Sequence, residues 1–439
     1  MSMFAPAACS VRAISAPTRR APPVISTTWS RNEEFSILGF MPHNDTVMPS
    51  QREIALNDLQ ARQYALMHAY LTEQITASAG WLSFERFMDM ALYAPGLGYY
   101  SAGAHKLGEG GDFTTAPEVS RLFGACVARQ CAEILSALGK GHILEIGAGS
   151  GRLAADVLSR LETLGELPDR YCILEISADL RERQRRHFAR HLPPHLQERV
   201  HWLDQPPEQS FDGLILANEV LDALPVTRFR WYHDRVEELG VVIDGGRFAW
   251  EARPASPAVT EACRRLRKAG GAWDDGYVSE YCPRLNAWTM SVTRSLRAGA
   301  ALWFDYGLPR SQYYLPERQE GTLLCHFRQR AHGDPLLYPG LQDVTAWVDY
   351  TLLAEASRAA GFRLSGFTTQ SFFLAGLRVD HEMQIMAAGD DAQFARLANQ
   401  ARQLMLPGEM GERFKAMAWL RGLDLPLAGF ALQDLRHTL

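Results

Sequence analysis

Residues 141–153 read GHILEIGAGSGRL, and most of what the sequence predicts follows from them. The apolar run at 142–146 is typical of a buried strand, and three glycines follow at alternate positions, Gly147, Gly149 and Gly151. After the last glycine the apolar residues recur at helical spacing. The segment therefore predicts a strand, a tight turn and the start of a helix. Such a turn favours a ligand, because glycines let the backbone approach closely and the free amides of a helix start attract electron-rich groups.

The spacing of the glycines indicates which ligand the turn binds. A dinucleotide fingerprint needs glycine or alanine three positions after the second glycine, and Arg152 occupies that position. The sequence here is instead an acid, Glu145, followed by Gly-x-Gly-x-Gly. This order resembles the pattern of class I methyltransferases, which bind S-adenosylmethionine. A glycine-rich turn that binds no ligand is the alternative interpretation.

A second acid lies at the end of the next predicted strand. The run RYCILEI at 170–176 is apolar and carries Glu175 close to its end. A carboxylate at this place in an α/β sheet offers two acceptor oxygens to the two ribose hydroxyls of an adenosine. We therefore predict that Glu175 binds the ribose. Alternatively, Glu175 helps to cap the following helix beside Ser177.

Composition restricts the class of protein. The chain of 439 residues is 47% hydrophobic and 22% charged, which predicts one large elaborated domain or two domains. The net charge of −5 argues against nucleic acid as a partner. No apolar run approaches the ~18 residues of a membrane span, so no membrane insertion is expected. The seven cysteines contain no C-x-x-C pair, which predicts free thiols and no zinc site.

The ends of the chain differ from the middle. Residues 1–50 have few acids and no apolar periodicity, which predicts a disordered extension or a leader. They resemble an organelle transit peptide, or translation begins at Met41 or Met48. Lysine is scarce beside arginine, which favours a bacterial source and a cytoplasmic location, with the mitochondrial matrix as the alternative. Residues 381–439 are predicted to form a helical tail.

A helical region with a polar loop precedes the glycine turn. Residues 51–138 contain several helical patterns, and the loop GGDFTTAPEVS occupies 110–120. Polar loops this close before a ligand-binding strand often close over the site, so we expect this loop to contribute to it. The alternative is a solvated turn in which Asp112 and Thr114 cap one another.

Residues 139–380 are predicted to form the core. Strands and helices alternate there, which indicates an α/β protein with a doubly wound, mostly parallel sheet. The run FDGLILA, the predicted fourth strand, ends in Asn218 and Glu219, and Asp222 follows closely. Ligands of open α/β sheets bind at the carboxyl ends of the strands, so these three side chains should face the same crevice as the glycine turn. They are the predicted catalytic residues.

Two insertions are predicted within the core. Residues 228–275 alternate in polarity and include Asp-Gly-Gly at 244–246, which predicts a hairpin. Residues 308–346 are polar, aromatic and rich in glycine and proline, which suggests a long lid or substrate loop. Two strands are expected within 364–377.

Five motifs in this order resemble the MidA-like methyltransferases: GAGSG, GGDFTTAPE, ANEVLDALPV, WFDYG and TQSFFLAGL. These are bacterial relatives of a mitochondrial complex I assembly factor that is a protein arginine methyltransferase. The resemblance extends over residues 62–418. It implies a Rossmann-like class I fold, S-adenosyl-L-methionine as cofactor, and methyl transfer to an arginine of a protein, a subunit of NADH dehydrogenase.

The resemblance and the residue patterns together give a set of candidate site residues. The cofactor residues are expected to be Asp112, Thr115, Pro117, Glu145, Gly147, Ala148, Gly149, Gly151 and Glu175. The catalytic residues are expected to be Asn218, Glu219 and Asp222. No metal ligand is among them.

The predicted mechanism uses carboxylates. A guanidinium is a poor nucleophile because its charge is delocalised, and carboxylates that grip two of its nitrogens would orient the third. Glu219 and Asp222 are the first pair for this role, because a helix beginning here would bring residues three apart onto one face. Glu280 and Asp305 are held in reserve. Each is alternatively a helix cap or an ion-pair partner. The alternative functions are methylation of a small molecule or another side chain, and an assembly chaperone that binds the cofactor without turnover.

Overall fold

The strands and helices lie in residues 55–102 and 114–439, which this computed structural model describes. The strands are, in chain order, β1 (Leu82–Ser83), β2 (His142–Ile146), β3 (Arg170–Leu174), β4 (Val200–Leu203), β5 (Phe211–Asn218), β6 (Thr227–Tyr232), β7 (Arg235–Asp244), β8 (Arg247–Pro254), β9 (Val278–Tyr281), β10 (Leu296–Leu308), β11 (Leu324–Phe327), β12 (Arg330–His332), β13 (Asp343–Thr345), β14 (Val348–Asp349), β15 (Arg363–Thr369) and β16 (Phe414–Arg421).

The helices of the same residues are, in chain order, α1 (Asp58–Ala77), α2 (Phe84–Tyr93), α3 (Ala116–Val119), α4 (Arg121–Leu138), α5 (Arg152–Leu164), α6 (Ala178–His191), α7 (Pro194–Gln197), α8 (Pro257–Gly270), α9 (Leu285–Thr293), α10 (Arg310–Tyr313), α11 (Tyr350–Ala359), α12 (Gln370–Gly376), α13 (Val379–Ala387), α14 (Asp391–Met405) and α15 (Met410–Arg413). Two short 3-10 helices, Ala428–Phe430 and Arg436–Thr438, lie close to the C-terminus.

The central sheet is mixed and has the strand order β15-β16-β10-β5-β2-β3-β4. Strands β4, β3, β2, β5 and β10 run parallel to one another, whereas β16 runs antiparallel to both β10 and β15. The short strand β14 extends the sheet beside the end of β10. The prediction of an α/β protein is therefore confirmed. The glycine turn and the end of β5 lie at the same edge of this sheet, because β2 and β5 are parallel neighbours.

Two hydrophobic cores cover the two faces of the central sheet. Successive residues of a strand point to opposite faces, and Ile143 of β2 accordingly belongs to one core and Leu144 to the other. The first core includes α4, α5, α12, α13 and α14, and the second includes α9 and α11. On α5, Leu153, Val157 and Leu161 are at most 3% exposed. Each such side chain contributes about 1.5–3 kcal/mol by burial, which fixes the helix that begins at the glycine turn.

The predicted insertions form two further sheets. Strands β6 to β9 pair with one another and with β1, and the β7–β8 hairpin turns at Gly245 and Gly246, which confirms the predicted hairpin. Residues 308–346 contain α10 and a small sheet of order β12-β11-β13. The domain boundaries at residues 50, 138 and 380 stay predictions.

Two predicted elements differ from the structure. Of the two strands expected within 364–377, only β15 forms, and QSFFLAG becomes α12 because the Thr369 hydroxyl accepts a hydrogen bond from the Phe372 amide and caps a helix. The helical prediction for residues 381–439 is wrong at Phe414–Arg421. This apolar segment is buried between two strands of the central sheet as β16.

A helix that crosses a bilayer must be both long and apolar. None of the helices in residues 55–102 and 114–439 is long and apolar enough to cross a bilayer. The longest, α1, has 20 residues and is interrupted by charged and amide side chains.

Candidate active site

A cavity of about 850 Å³ opens at the carboxyl ends of β2, β3 and β5. Among the predicted site residues, the cavity is lined by Thr115, Pro117, Glu145, Gly147, Ala148, Gly149, Glu175, Asn218 and Glu219. Gly151 and Asp222 are not among the lining residues. Asp112 lies outside the residues that the structure describes. The end of α2 and the start of α9 complete the wall, which the sequence does not predict.

The glycine turn has a backbone that side chains disfavour. Gly147, Gly149 and Gly151 have φ angles of +65°, +53° and +84°. The Gly149 carbonyl accepts a hydrogen bond from Gln184 Nε2 at 3.0 Å, and Gln184 Oε1 accepts one from the indole of Trp202 at 2.7 Å. Side chains of α6 and β4 therefore stabilise this conformation of the turn. Gly151 is the N-cap of α5, and its contact with the cofactor stays a prediction.

Glu118 joins the polar loop to the glycine turn. Its Oε1 accepts a hydrogen bond from the Ser150 hydroxyl, and its Oε2 forms an ion pair with the Arg152 guanidinium at 2.9 Å. The Glu118 backbone carbonyl accepts a second bond from Arg152 at 3.0 Å. The part of the predicted site-closing loop that the structure describes thus lies directly against the glycine turn. The sequence prediction names neighbours of Glu118 but not Glu118 itself.

Glu145 is buried beneath the turn. Its side chain is 2% exposed, and its Oε2 accepts a hydrogen bond from the Tyr171 hydroxyl at 2.7 Å. Burial raises the pKa of Glu145 to about 7, although the bond from Tyr171 acts in the opposite direction. Glu145 lines the cavity, and Tyr171 engages one of its two carboxyl oxygens.

Glu175 follows β3 directly and lines the cavity. Its Oε1 accepts a hydrogen bond from the Ser177 amide at 2.9 Å, and burial raises its pKa. Ser177 is the N-cap of α6, so Glu175 Oε1 contributes to the start of this helix, as the helix-cap alternative predicts. The next residue, Ile176, also lines the cavity and is 73% exposed. A large apolar side chain left open in a cavity is a surface for a flat apolar group.

The acidic turn, residues 218–222, follows β5. Glu219 has a φ of +52°, which few residues other than glycine adopt. Its Oε1 accepts hydrogen bonds from the Ala116 amide at 3.3 Å and from Asn218 Nδ2 at 3.1 Å. Burial, and then repulsion by Asp222, raises the pKa of Glu219 to about 8. The strained backbone directs this carboxyl group into the cavity.

Asp222 lies behind Glu219. Its Oδ2 accepts a hydrogen bond from the Tyr306 hydroxyl, and its Oδ1 is buried with no hydrogen-bond partner among the described residues. Burial raises the pKa of Asp222 to about 6. The expectation that Glu219 and Asp222 share one face of a helix is wrong, because this segment is a turn that bends at Glu219.

The two reserve candidates have structural partners. Asp305 Oδ2 accepts hydrogen bonds from the backbone amides of Val220, Leu221 and Asp222, at 3.2, 2.9 and 3.2 Å. These bonds fix the conformation of the acidic turn. Glu280 Oε1 accepts the Thr322 amide at 2.6 Å, and Glu280 is not among the cavity residues. Neither is therefore positioned to contact a ligand of the cavity.

The acidic turn has no basic partner in the part of the chain that the structure describes. Glu219, Asp222 and Asp305 form no ion pair with an arginine or lysine there, although all three are buried or partly buried. Two basic residues do line the cavity, Arg152 and Arg284, but each is already paired with an acid. Buried carboxylates without a cation favour a positively charged ligand.

Several known proteins are similar to this chain in sequence or in fold. A family profile of S-adenosyl-L-methionine-dependent methyltransferases matches residues 126–368. A superfamily member from Burkholderia thailandensis, solved bound to S-adenosyl-homocysteine, is 41% identical, with 88% of this chain and 100% of that chain covered and a TM-score of 0.84. The Danio rerio protein arginine methyltransferase NDUFAF7, mitochondrial, is 29% identical, covering 82% of this chain and 91% of its own length. Its Bos taurus counterpart is 30% identical, with 78% and 80% covered. The chain therefore belongs to the MidA-like family of S-adenosyl-L-methionine-dependent methyltransferases.

Proposed function

We propose that this chain transfers methyl groups from S-adenosyl-L-methionine to an arginine side chain of a protein. The observation that carries the proposal is the acidic turn, where the Glu219 carboxyl group lines the cavity with no basic partner among the described residues. A guanidinium supplies both the positive charge and the N–H donors that such carboxylates lack. The names of the NDUFAF7 relatives agree with this acceptor.

In this proposal the cofactor lies between the glycine turn and the end of β3. Glu175 accepts hydrogen bonds from the ribose hydroxyls, and Ile176 covers the purine. The backbone amides that follow Gly147 face the remaining part of the cofactor. The bound cofactor supplies an activated methyl group. The strand order of the central sheet supports the doubly wound, class I arrangement in which this placement is expected.

Glu219 is the proposed contact to the acceptor. Its carboxylate grips the N–H groups of the guanidinium and holds one nitrogen toward the methyl group. As the N–C bond forms and the C–S bond breaks, that nitrogen passes its proton to the Glu219 carboxylate, and S-adenosylhomocysteine is the other product. Asn218 Nδ2 and the Ala116 amide fix the carboxylate by hydrogen bonds. Asp222 acts indirectly: its Oδ2 accepts a hydrogen bond from Tyr306, and its negative charge raises the pKa of Glu219.

The role of Glu175 predicts a graded loss of cofactor affinity. Glu175→Gln keeps one good acceptor oxygen, and Glu175→Ala keeps none. Loss of a charged hydrogen-bond partner costs about 1.5–3 kcal/mol, so the alanine variant should bind S-adenosylhomocysteine about ten- to a hundredfold more weakly, and the glutamine variant should lie between. Calorimetry measures the three affinities. Equal affinity in all three proteins would leave only the cap of α6 for Glu175.

The acidic turn also predicts how activity depends on pH. A neutral Glu219 cannot attract a guanidinium, and Asp222 and Asp343 both add to the rise in its pKa. The kcat/KM for the protein acceptor should therefore increase as the pH is raised from about 6 to about 8, as Asp222 and then Glu219 ionise. Glu219→Gln should lose the upper part of this rise. A profile that falls over the same range would contradict the assignment.

One experiment tests the proposed function directly. The purified protein is incubated with cell protein and methyl-labelled cofactor, and the acid hydrolysate is separated into methylated amino acids. Label in methylarginine supports the proposal, and a Glu219→Gln sample incubated in parallel gives the background. Label in another amino acid would contradict the proposal and indicate methylation of a different side chain. Label only in small molecules of a protein-free extract would indicate a small-molecule methyltransferase. Identification of the labelled band would show whether a subunit of NADH dehydrogenase is the acceptor.

The cellular location is part of the same proposal. We propose the cytoplasm of a bacterium, because the 41% identity to the protein from Burkholderia thailandensis exceeds the 29% and 30% identity to the two mitochondrial relatives. The mitochondrial matrix is the other outcome. Fractionation of cells that carry the C-terminally tagged full-length chain, with immunodetection of the tag, distinguishes the two locations.

A further inference from the structure

Two stacked tyrosines, Tyr93 and Tyr100, line the cavity beside the acidic turn. Their ring centroids lie 5.6 Å apart, and the angle between the ring planes is 20°. The Tyr93 hydroxyl donates to the carbonyl of Ala223 at 2.9 Å, and the Tyr100 hydroxyl donates to Asp343 Oδ1 at 2.8 Å. Because protein groups engage both hydroxyls, the aromatic rings are what the pair offers to a ligand.

The backbone holds the two rings in place. Tyr93 is the last residue of α2, and the PGLGYY turn then folds back so that the Tyr100 amide donates to the Leu92 carbonyl at 2.8 Å. A Cβ atom on Gly98 would lie 2.6 Å from the Tyr93 nitrogen, so glycine is required for this close approach. The pair is therefore set before any ligand binds, which lowers the entropic cost of binding.

The surroundings of the tyrosines are acidic. Asp89 lies one helical turn before Tyr93 on α2 and also lines the cavity. Arg284 donates to Glu85 at 2.5 Å and to Asp89 at 3.0 Å, so its charge is already balanced. Burial, followed by the charge of Asp343, raises the pKa of Tyr93. A π surface bounded by carboxylates favours a cation against the ring.

We propose that Tyr93 and Tyr100 form the acceptor-side wall of the cavity and select a planar cation, the guanidinium, over a compact ammonium group. The inference rests on the proposed function, since it names the groups that would recognise the arginine. Glu219 would bind the edge of the guanidinium through its N–H groups, and the tyrosine rings would contact its face. A lysine ammonium has no planar face to stack and is more strongly hydrated.

The experiment measures binding without turnover. The protein is saturated with S-adenosylhomocysteine and titrated with N-acetyl-arginine methylamide or N-acetyl-lysine methylamide, with binding followed by ligand-observed NMR. The wild type should bind the arginine amide more tightly than the lysine amide. Tyr93→Leu should weaken the arginine amide by about 3- to 30-fold, which corresponds to loss of a cation–π contact, and should leave affinity for S-adenosylhomocysteine within twofold.

A conservative variant separates the ring from its hydroxyl. Tyr93→Phe loses the hydrogen bond to Ala223 but keeps the ring, so it should retain most of the affinity for the arginine amide. Tyr232→Leu is the matched control, because Tyr232 is 42% exposed on β6 and is not a cavity residue. This variant should bind both amides like the wild type. Unchanged cofactor affinity shows that each variant is folded.

The outcomes distinguish this inference from the proposed function. If the arginine amide binds the wild type and Tyr93→Leu equally, the wall assignment is overturned while arginine methylation stands. The same holds if the wild type does not bind the arginine amide measurably. If the labelled hydrolysate contains methyllysine and no methylarginine, and the lysine amide binds more tightly, the proposed function and the inference fail together.

Discussion

Glu219→Gln should transfer methyl groups about 10²- to 10³-fold more slowly than the parent and bind S-adenosylmethionine with nearly the same affinity. The change keeps the shape of the side chain and its acceptor oxygen for Asn218 and Ala116. It removes the charge that the acceptor meets when it reacts, so the loss falls on the transition state. Single-turnover methylation and calorimetry on the same preparation measure the two quantities.

The stability of this variant gives an independent check. The pKa of Glu219 is raised from 4.5 to about 8 in the folded protein, so ionising it costs folding energy increasingly as the pH rises between these values. Glutamine has no such cost, and the melting temperature of the variant at pH 8 should equal or exceed that of the parent. Glu238→Gln, on β7 and outside the cavity, is the control that should retain turnover. Full activity with a lowered melting temperature would remove Glu219 from the catalytic role.

Gly149→Val should reduce affinity for S-adenosylhomocysteine by about a hundredfold or more. Gly149 has a φ of +53° and lines the cavity, and a β-branched residue in this conformation is strained by about 1–3 kcal/mol and adds bulk where the ligand lies. The turn would have to relax away from the shape that Gln184 holds. Calorimetry with S-adenosylhomocysteine and with NAD measures the loss and tests the specificity of the parent.

A second glycine provides the matched control for strain. Gly165 ends α5 with a φ of +76°, and a Cβ atom there would meet nothing within 4 Å. Gly165→Val therefore imposes a comparable backbone strain away from the cavity. Its melting temperature should fall like that of Gly149→Val, while its cofactor affinity should stay close to that of the parent. A parent that binds NAD and does not respond to S-adenosylhomocysteine would contradict the whole assignment of the site.

The parts of the site that the sequence predicts best depend on local signals. The strand before the glycine turn and the helix after it follow from apolar spacing, and both lie where expected as β2 and α5. The sequence predicts that Glu175 and Glu219 lie in one crevice, because parallel strands bring their carboxyl ends together, and both residues line the cavity. These inferences need only the order of strands and helices along the chain.

The remaining parts depend on contacts between distant segments. Tyr93 and Arg284 reach the cavity from α2 and from the segment before α9, and no periodicity in either segment points to a ligand. The three-residue spacing of Glu219 and Asp222 predicts a helix with both side chains on one face. Asp305 instead accepts hydrogen bonds from the three successive amides of residues 220–222, which holds the segment as a turn. That carboxylate is contributed from a strand far along the chain. A local pattern cannot anticipate a constraint of this kind.

The place of β16 has a consequence for how the protein is made. This strand is synthesised after the other strands of the central sheet, yet it lies between β10 and β15 and hydrogen-bonds to both. Until it emerges, the nascent chain exposes a long unpaired strand edge beside Trp303 and its neighbours, which are buried in the finished sheet. The cofactor-binding half can therefore be synthesised in full while its sheet is still open. Release of the chain before Phe414 would leave a protein that contains all the residues proposed to bind the cofactor but keeps an unpaired edge on β10, and such an edge promotes aggregation.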